Sequence, residues 1–259
     1  MSSSVRAAAT AAGDSPVVET GARVGYASSG VLHLLIAWIA LNVAWSSTSS
    51  EADQTGALEQ LAGTTLGSAL LWVAGIGFGL LGLWQLSEVV ARHRTSDRVK
   101  AAAKAVVYLA LAWTTISVLR GTESSGSGQT SSATATVLAQ PLGRWLVMAG
   151  GAVIIGVGVY HVVKGWRRGF LTDLREHPGT WAVHAGRIGY IAKGVALGVL
   201  GGLFVAAGAT ADPQKARGLD GALRALLDLP AGQWLLTLVA MGFAAYGLYS
   251  FARARYARV

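Results

Sequence analysis

Six apolar runs divide this chain, and the charged residues fall between them or at their edges. The runs are Val24 to Trp45, Leu66 to Val90, Ala101 to Leu119, Trp145 to Val163, Ile188 to Ala207 and Gln233 to Phe251. An α-helix rises about 1.5 Å per residue, so each run is long enough to cross roughly 30 Å of hydrocarbon with its backbone hydrogen bonds closed internally. The pattern predicts an all-α fold: an integral membrane protein with six transmembrane helices.

The runs repeat. The odd-numbered ones open in ungapped alignment from Arg23 through Gly25-Tyr26 to Ser29-Gly30-Val31, from Arg98 to Lys104-Ala105-Val106, and from Arg187 through Gly189-Tyr190 to Lys193-Gly194-Val195. Counting from Gly67, Gly143 and Gly232, the even-numbered ones carry a glycine fifteen positions on (Gly82, Gly158, Gly247), an aromatic seventeen on (Trp84, Tyr160, Tyr249) and a charge twenty-one on (Glu88, Lys164, Arg253). Self-similarity at this period predicts three tandem helical hairpins. The division is residues 1–21 as a disordered N-terminal segment, 22–95 as repeat 1, 96–172 as repeat 2, and 173–259 as repeat 3 with a basic tail. Hairpins of equal orientation predict pseudo-threefold symmetry about an axis along the membrane normal, with Gly82, Gly158 and Gly247 at helix contacts.

The links refine this picture. Ala57 to Leu61 and Ala222 to Leu227 stand at matching distances before the next run and predict short amphipathic helices at the interface. Ser124 to Thr136, rich in Ser, Thr and Gly, is expected to be flexible. Pro141 and Pro230 precede runs, where a missing N–H costs a helix nothing. Among the 34 glycines, the spacings Gly75 to Gly79, Gly194 to Gly198 and Gly198 to Gly202 suit close helix packing. Gly77, Gly79 and Gly82 spell a dinucleotide fingerprint, but they lie inside an apolar run with no preceding strand, so that reading fails.

Charge adds orientation. The chain is 53% hydrophobic and 13% charged, with a net charge of +8. The N-terminal segment, the links around residues 92–104 and 164–193 and the tail hold sixteen of the 21 Lys and Arg residues, and the other links hold five. The positive-inside rule then puts both termini in the cytoplasm. The surplus is a topology signal, and no soluble basic groove with aromatics points to nucleic acid. Cysteine is absent, which removes thiolate chemistry.

The triplicated unit with Gly25-Tyr26, Gly189-Tyr190 and Lys193-Gly194-Val195 resembles the bacterial, largely actinobacterial, membrane family catalogued as domain of unknown function number twelve hundred and six, over about residues 22 to 255. The resemblance implies six helices in three tandem copies in a bacterial inner (plasma) membrane, and it brings no activity or catalytic residues. The middle copy departs most, with Lys100-Ala101 in place of Gly-Tyr, and Ser29 stands where the third copy has Lys193.

Polar residues within the runs are the remaining candidates, because ionisable groups in hydrocarbon are costly. His33 lies near mid-membrane and His161 near the cytoplasmic end of its run; the unequal depths argue against shared haem ligation. His93, His177 and His184 lack metal-ligand spacing, so no metal or cofactor is expected. Arg23, Arg98, Lys104, Arg187 and Lys193 recur at fixed places and predict a basic collar for lipid phosphates or another anion, with Lys104 and Lys193 snorkelling to the interface. Glu88 offsets one of these bases. No enzyme constellation is present. Two classes remain: a non-catalytic membrane protein packing against lipid or a partner membrane subunit, or a small transporter or channel for an anionic or amphipathic ligand. Three parallel repeats resemble mitochondrial carriers in layout, but the carrier signature of proline, acid and base is missing from the odd-numbered runs.

Overall fold

The computed structural model describes residues 16–46, 50–91, 95–121 and 125–256, and among these it contains nine α-helices and no strand. Six follow the apolar runs, and a seventh, Gln54–Ala62, follows the amphipathic segment of the first link. They are α1 (Pro16–Trp45), α2 (Gln54–Ala62), α3 (Thr65–Ala91), α4 (Thr95–Leu119), α6 (Gly143–Trp166), α7 (Thr180–Thr210) and α9 (Gly232–Tyr256). Between them lie α5 (Gly126–Leu138) and α8 (Gly218–Ala225), with 3-10 turns at Gly169–Asp173 and Pro213–Lys215. The helix α1 begins at Pro16, so residues 16–21 are helical rather than disordered; residues 1–15 lie outside the described residues.

Among the described residues five helices are long and apolar enough to cross a membrane: Arg23–Trp45, Thr65–Leu83, Gly143–Trp166, Thr180–Thr210 and Gly232–Tyr256. In α4 only Tyr108–Leu119 is apolar throughout, because Asp97, Arg98, Lys100 and Lys104 occupy its first half. The outward surface is what lipid requires. Val73, Leu80, Val153, Val159, Leu238 and Met241 are all exposed. Exposed Trp45, Trp145 and Trp234 mark one end of the bundle and Trp166 and Trp181 the other, as interfacial aromatic belts do. Inside, Ile36, Ile39, Ala40, Ala196, Leu236 and Phe243 fill the junction of α1, α7 and α9.

The tight antiparallel pairs are α3 with α4, α6 with α7, and α9 with α1. These pairs cross the boundaries of the sequence repeat. Among the described residues the long helices within repeats 1 and 2 do not pack along each other, whereas α7 and α9 of repeat 3 do. The closest helix packing thus joins successive copies of the repeat. The reason is the placement of glycine. A Cβ built on Gly158 would lie 2.7 Å from the Gly194 carbonyl oxygen, one on Gly151 2.6 Å from that of Gly201, and one on Gly165 3.0 Å from that of Arg187. The α6–α7 seam thus uses a seven-residue spacing on both helices, two turns apart, which keeps one face in contact. A Cβ built on Gly247 would lie 2.9 Å from the Gly30 carbonyl oxygen, and one on Gly82 2.7 Å from the Leu109 side chain. By contrast Gly79, Gly198 and Gly202 face open space and Gly75 makes only ordinary contact, so the four-residue spacings do not carry the packing.

At the end opposite the basic links, α2, α5 and α8 form a cap. Glu51 accepts hydrogen bonds from the Ser125 hydroxyl (2.5 Å) and the Gly126 N–H (2.6 Å), so a carboxylate from link 1 caps α5 of link 2. The buried Asp220 of α8 accepts from the Ala52 N–H (2.8 Å) and pairs with Arg224, whose Nη2 donates to the Ser50 carbonyl (2.9 Å). Ser131 of α5 donates to the Ala216 carbonyl (3.3 Å), which closes link 2 on link 3. The segment expected to be flexible is therefore helical from Gly126. Thr130, Thr134 and Thr136 turn their hydroxyls onto carbonyls four residues back, which removes them from competition with the helix, and the cap supplies tertiary contacts.

Candidate functional site

The described members of the predicted collar make separate contacts. Arg98 is exposed and its Nε donates to the Val89 carbonyl (2.8 Å) across the α3–α4 turn. Arg187 lies over the ring of exposed Trp166 at 4.9 Å, a cation–π contact in the aromatic belt. Arg23 is exposed on α1, and the Lys104 side chain lies outside the described residues.

Lys193 behaves differently. It does not snorkel toward the basic links. Its ammonium sits 4.5 Å from the centroid of the Tyr246 ring and 3.4 Å from His33 Nε2. The reason is local: α7 starts at Thr180, so Lys193 lies thirteen residues along it, about 20 Å from its first residue, and α9 offers a π face close by. The His33 ring packs on Tyr246 (4.6 Å between centroids) and Phe243 (6.0 Å). Its Nδ1 is 2.7 Å from the Ser29 carbonyl, an acceptor only, so Nδ1 carries the proton and Nε2 presents a lone pair to Lys193. His161, stacked on Tyr190 at 5.7 Å, is within electrostatic reach of Lys193, and its Nδ1 is 2.8 Å from the Val157 carbonyl.

Toward the basic links the site continues as an aromatic stack. Phe170, Tyr190, Tyr246 and Tyr249 are buried and share ring contacts, and the Tyr249 hydroxyl donates to the Phe170 carbonyl (3.2 Å). Arg253 lies 4.2 Å over the Tyr26 ring and donates from Nη2 to its hydroxyl (3.2 Å). Lys164, ion-paired with Asp173 at 2.7 Å, lies 5.6 Å over Tyr190. These two contacts are the same contact in the repeat. Tyr26 and Tyr190 are equivalent, and so are Arg253 and Lys164. In each case a tyrosine of an odd-numbered run takes the base of the even-numbered helix paired with it. The α3–α4 pair has Glu88 from the first copy and Ala101 from the middle copy at these places, so ring and cation are both replaced there. Tyr26, Tyr246, Tyr249 and Arg253 are not among the predicted site residues, although the recurring Gly-Tyr marks Tyr26, the aromatic at position seventeen marks Tyr249 and the charge at position twenty-one marks Arg253.

Among the described residues no group of His, Asp and Glu is arranged to hold a metal. Three stretches, residues 24–92, 99–168 and 188–257, match the family model described as Domain of Unknown Function (DUF1206). The chain belongs to this family. The three matched stretches of DUF1206 coincide with the three repeats, and each holds one odd-numbered and one even-numbered run. A Bacillus subtilis (strain 168) protein, "Uncharacterized protein YxxB", is 30% identical over 256 residues, covering 93% of this chain and 92% of its own length. No solved structure matches the chain.

Proposed function

We propose that this DUF1206 protein is a non-catalytic membrane protein of six crossings whose basic face holds anionic lipid headgroups, with both termini on the cytoplasmic side of a bacterial inner membrane. The observation that carries this reading is Arg187 stacked on exposed Trp166, a guanidinium held at the level of an aromatic belt. A cleft of about 280 Å³ lined by Tyr160, Lys164, Arg167 and Asp173 opens on the same face. Each base near a negatively charged leaflet contributes about 1 kcal/mol. The sixth crossing is α4. Its 25 residues span about 37 Å, it pairs antiparallel with α3, and its charged half lies at the basic end. Cyclic contacts support a pseudo-threefold arrangement. Gly82, Gly158 and Gly247 each meet the helix that opens the next copy, the last returning to the first.

The test is lipid co-purified in mild detergent and measured by mass spectrometry. Arg98→Ala with Arg187→Ala should lose anionic lipid at least severalfold relative to zwitterionic lipid, with orientation preserved by the remaining bases. An unchanged lipid complement rejects the headgroup role. A small transporter for an anionic or amphipathic ligand is the second reading, and what favours it is the inward-turned Lys193.

A further inference from the structure

We propose that the cleft between the end of α1 and the start of α9 is a site for one zwitterionic amino-phospholipid of the leaflet at the cap end. The lipid's ammonium meets the last carbonyls of α1, and its phosphate meets Arg224. This goes beyond the headgroup reading, because the cleft lies at the opposite end from Arg98 and Arg187 and takes a lipid without net charge.

The cleft holds about 800 Å³, within the range of about 300–1,000 Å³ that small-molecule sites occupy. Val43, Ala44 and Trp45 of α1 line it together with Arg224 of α8 and Gln233 and Trp234 of α9. Trp45 and Trp234 belong to the aromatic belt, which sets the cleft at the level of lipid headgroups. Their rings meet edge to face at 5.2 Å, and Trp45 Nε1 donates to the Thr237 hydroxyl (3.0 Å), so this wall is fixed.

The α6–α7 pair shows what the cleft lacks. Gly143 and Gly232 are equivalent in the repeat, so Gln233 stands where α6 has Arg144. By the alignment of Arg23 with Arg187, Ala44 and Trp45 stand where α7 has Gly208 and Ala209. Arg144 donates from Nε to the Gly208 carbonyl (3.1 Å) and from Nη2 to the Ala209 carbonyl (2.5 Å). A guanidinium there satisfies the last carbonyls of a helix, which no intrahelical N–H reaches. Gln233 is uncharged and exposed, and among the described residues no hydrogen bond reaches the carbonyls of Val43, Ala44 and Trp45. A helix C-terminus carries about half a negative charge, so a cation with N–H donors is the group that suits this place.

Arg224 supplies the other end. Its Nε is bound to the Asp220 carboxylate (2.9 Å) and its Nη2 to the Ser50 carbonyl (2.9 Å), which fixes the guanidinium and leaves Nη1 for an oxygen in the cleft. Asp220 already balances the charge of Arg224, so a ligand without net charge fits better than an anion. A primary ammonium joined to a phosphate by two carbons serves both ends through charge-assisted hydrogen bonds, about twice as strong as neutral ones. A quaternary ammonium has no N–H to give the carbonyls, and a glycerol headgroup has no cation. Trp234, Leu238 and Met241 share one exposed face of α9 and continue from the cleft as a surface for the acyl chains, which favours a lipid over a free solute.

The test is equilibrium binding of radiolabelled dihexanoyl phosphatidylethanolamine, phosphatidylcholine and phosphatidylglycerol to the full-length protein in a non-ionic detergent. The parent should bind one equivalent of the ethanolamine lipid and hold the other two at least tenfold more weakly. Gln233→Arg installs the residue of the α6–α7 pair and should weaken binding of the ethanolamine lipid at least tenfold, with the thermal midpoint no lower than the parent's. Arg224→Gln should weaken it at least threefold, while the Arg98→Ala, Arg187→Ala variant binds it as the parent does. The headgroup series on the parent decides the matter if a cleft variant fails to give a monodisperse protein. No binding of the ethanolamine lipid by the parent overturns the proposal, and so does equal binding of the choline or glycerol lipid. Undiminished binding by folded Gln233→Arg overturns it too, as does binding lost with Arg98 and Arg187 instead. Free phosphoethanolamine bound as tightly as the lipid would make the ligand a solute and reject the lipid.

Discussion

Gly158 of α6 and Gly194 of α7 meet backbone to backbone, each lying where a Cβ would come within 2.7 or 2.6 Å of the other's carbonyl oxygen. Helices in lipid associate through such close approach, because apolar side chains gain nothing by leaving an apolar solvent. Gly158→Ala should therefore lower the thermal midpoint in detergent, by an overpacking cost of about 1–3 kcal/mol, and Gly158→Leu by more. Gly198, one turn from Gly194, faces open space. Gly198→Ala should be neutral or stabilising by up to about 1 kcal/mol, through helix propensity alone. Equal losses at the two positions would remove the seven-residue seam as the explanation.

The cap should respond to pH through Asp53. This buried carboxyl lies beside Glu51 and Asp220 outside the membrane spans, and burial first, opposed by its bond from the Gly56 N–H and reinforced by those two acids, pushes it up to about 6. Its folded pKa is above its ordinary value of 3.8, so the folded cap takes up a proton. The associated stability is fully present below about pH 4 and is lost as pH rises through about 6. Amide exchange in α2 should be slower at pH 5 than at pH 7.5 after correction for intrinsic rates. Asp53→Asn should flatten that dependence. A pH profile identical to the parent's in Asp53→Asn would assign the effect elsewhere.

Topology can be read directly with single cysteines, since the chain has none of its own. Ser132 on α5 is exposed at the cap, and His177 is exposed in the link between α6 and α7. With both termini cytoplasmic, a membrane-impermeant thiol reagent on intact cells should label Ser132→Cys and spare His177→Cys. The reverse pattern inverts the orientation, and labelling of both breaks the crossing count.

Tyr26 and Arg253 join the first and last long helices at one level. A double-mutant cycle of Tyr26→Leu and Arg253→Met should give a coupling of about 0.5–2 kcal/mol in thermal or denaturant stability, the range of a partly desolvated cation–π pair. A coupling indistinguishable from zero would make the stacked geometry incidental. Tyr190 and Lys164 should couple more weakly, because their separation is 5.6 Å against 4.2 Å and Asp173 already holds the lysine.

The long helices and the threefold repeat could be read from the residues alone, because both depend on local properties. A run of apolar side chains selects a helix whatever it later touches, and the recurrence of Gly25-Tyr26 at Gly189-Tyr190 needs no contact to be visible. The short cap helices α2 and α8 were readable for the same reason. The helix α5 was not, because its serines and threonines carry no apolar pattern and the carboxylate at its first turn, Glu51, comes from another link.

Partner choice was decided only in three dimensions. Spacing identifies Gly194, Gly198 and Gly202 as small, but which of them faces another backbone depends on how α7 is rotated against α6. Likewise the residues alone place Lys193 near a membrane boundary, where water is the default partner of an ammonium. The fold brings His33 from α1 and Tyr246 from α9 to the same point, and the nearest lone pair and π face then replace the water. Sequence by itself determined the class, the copies and the long helices, since those follow from composition along the chain. Tertiary structure decided which copies pair and where the buried charge points, since both depend on the rotation of one helix against another.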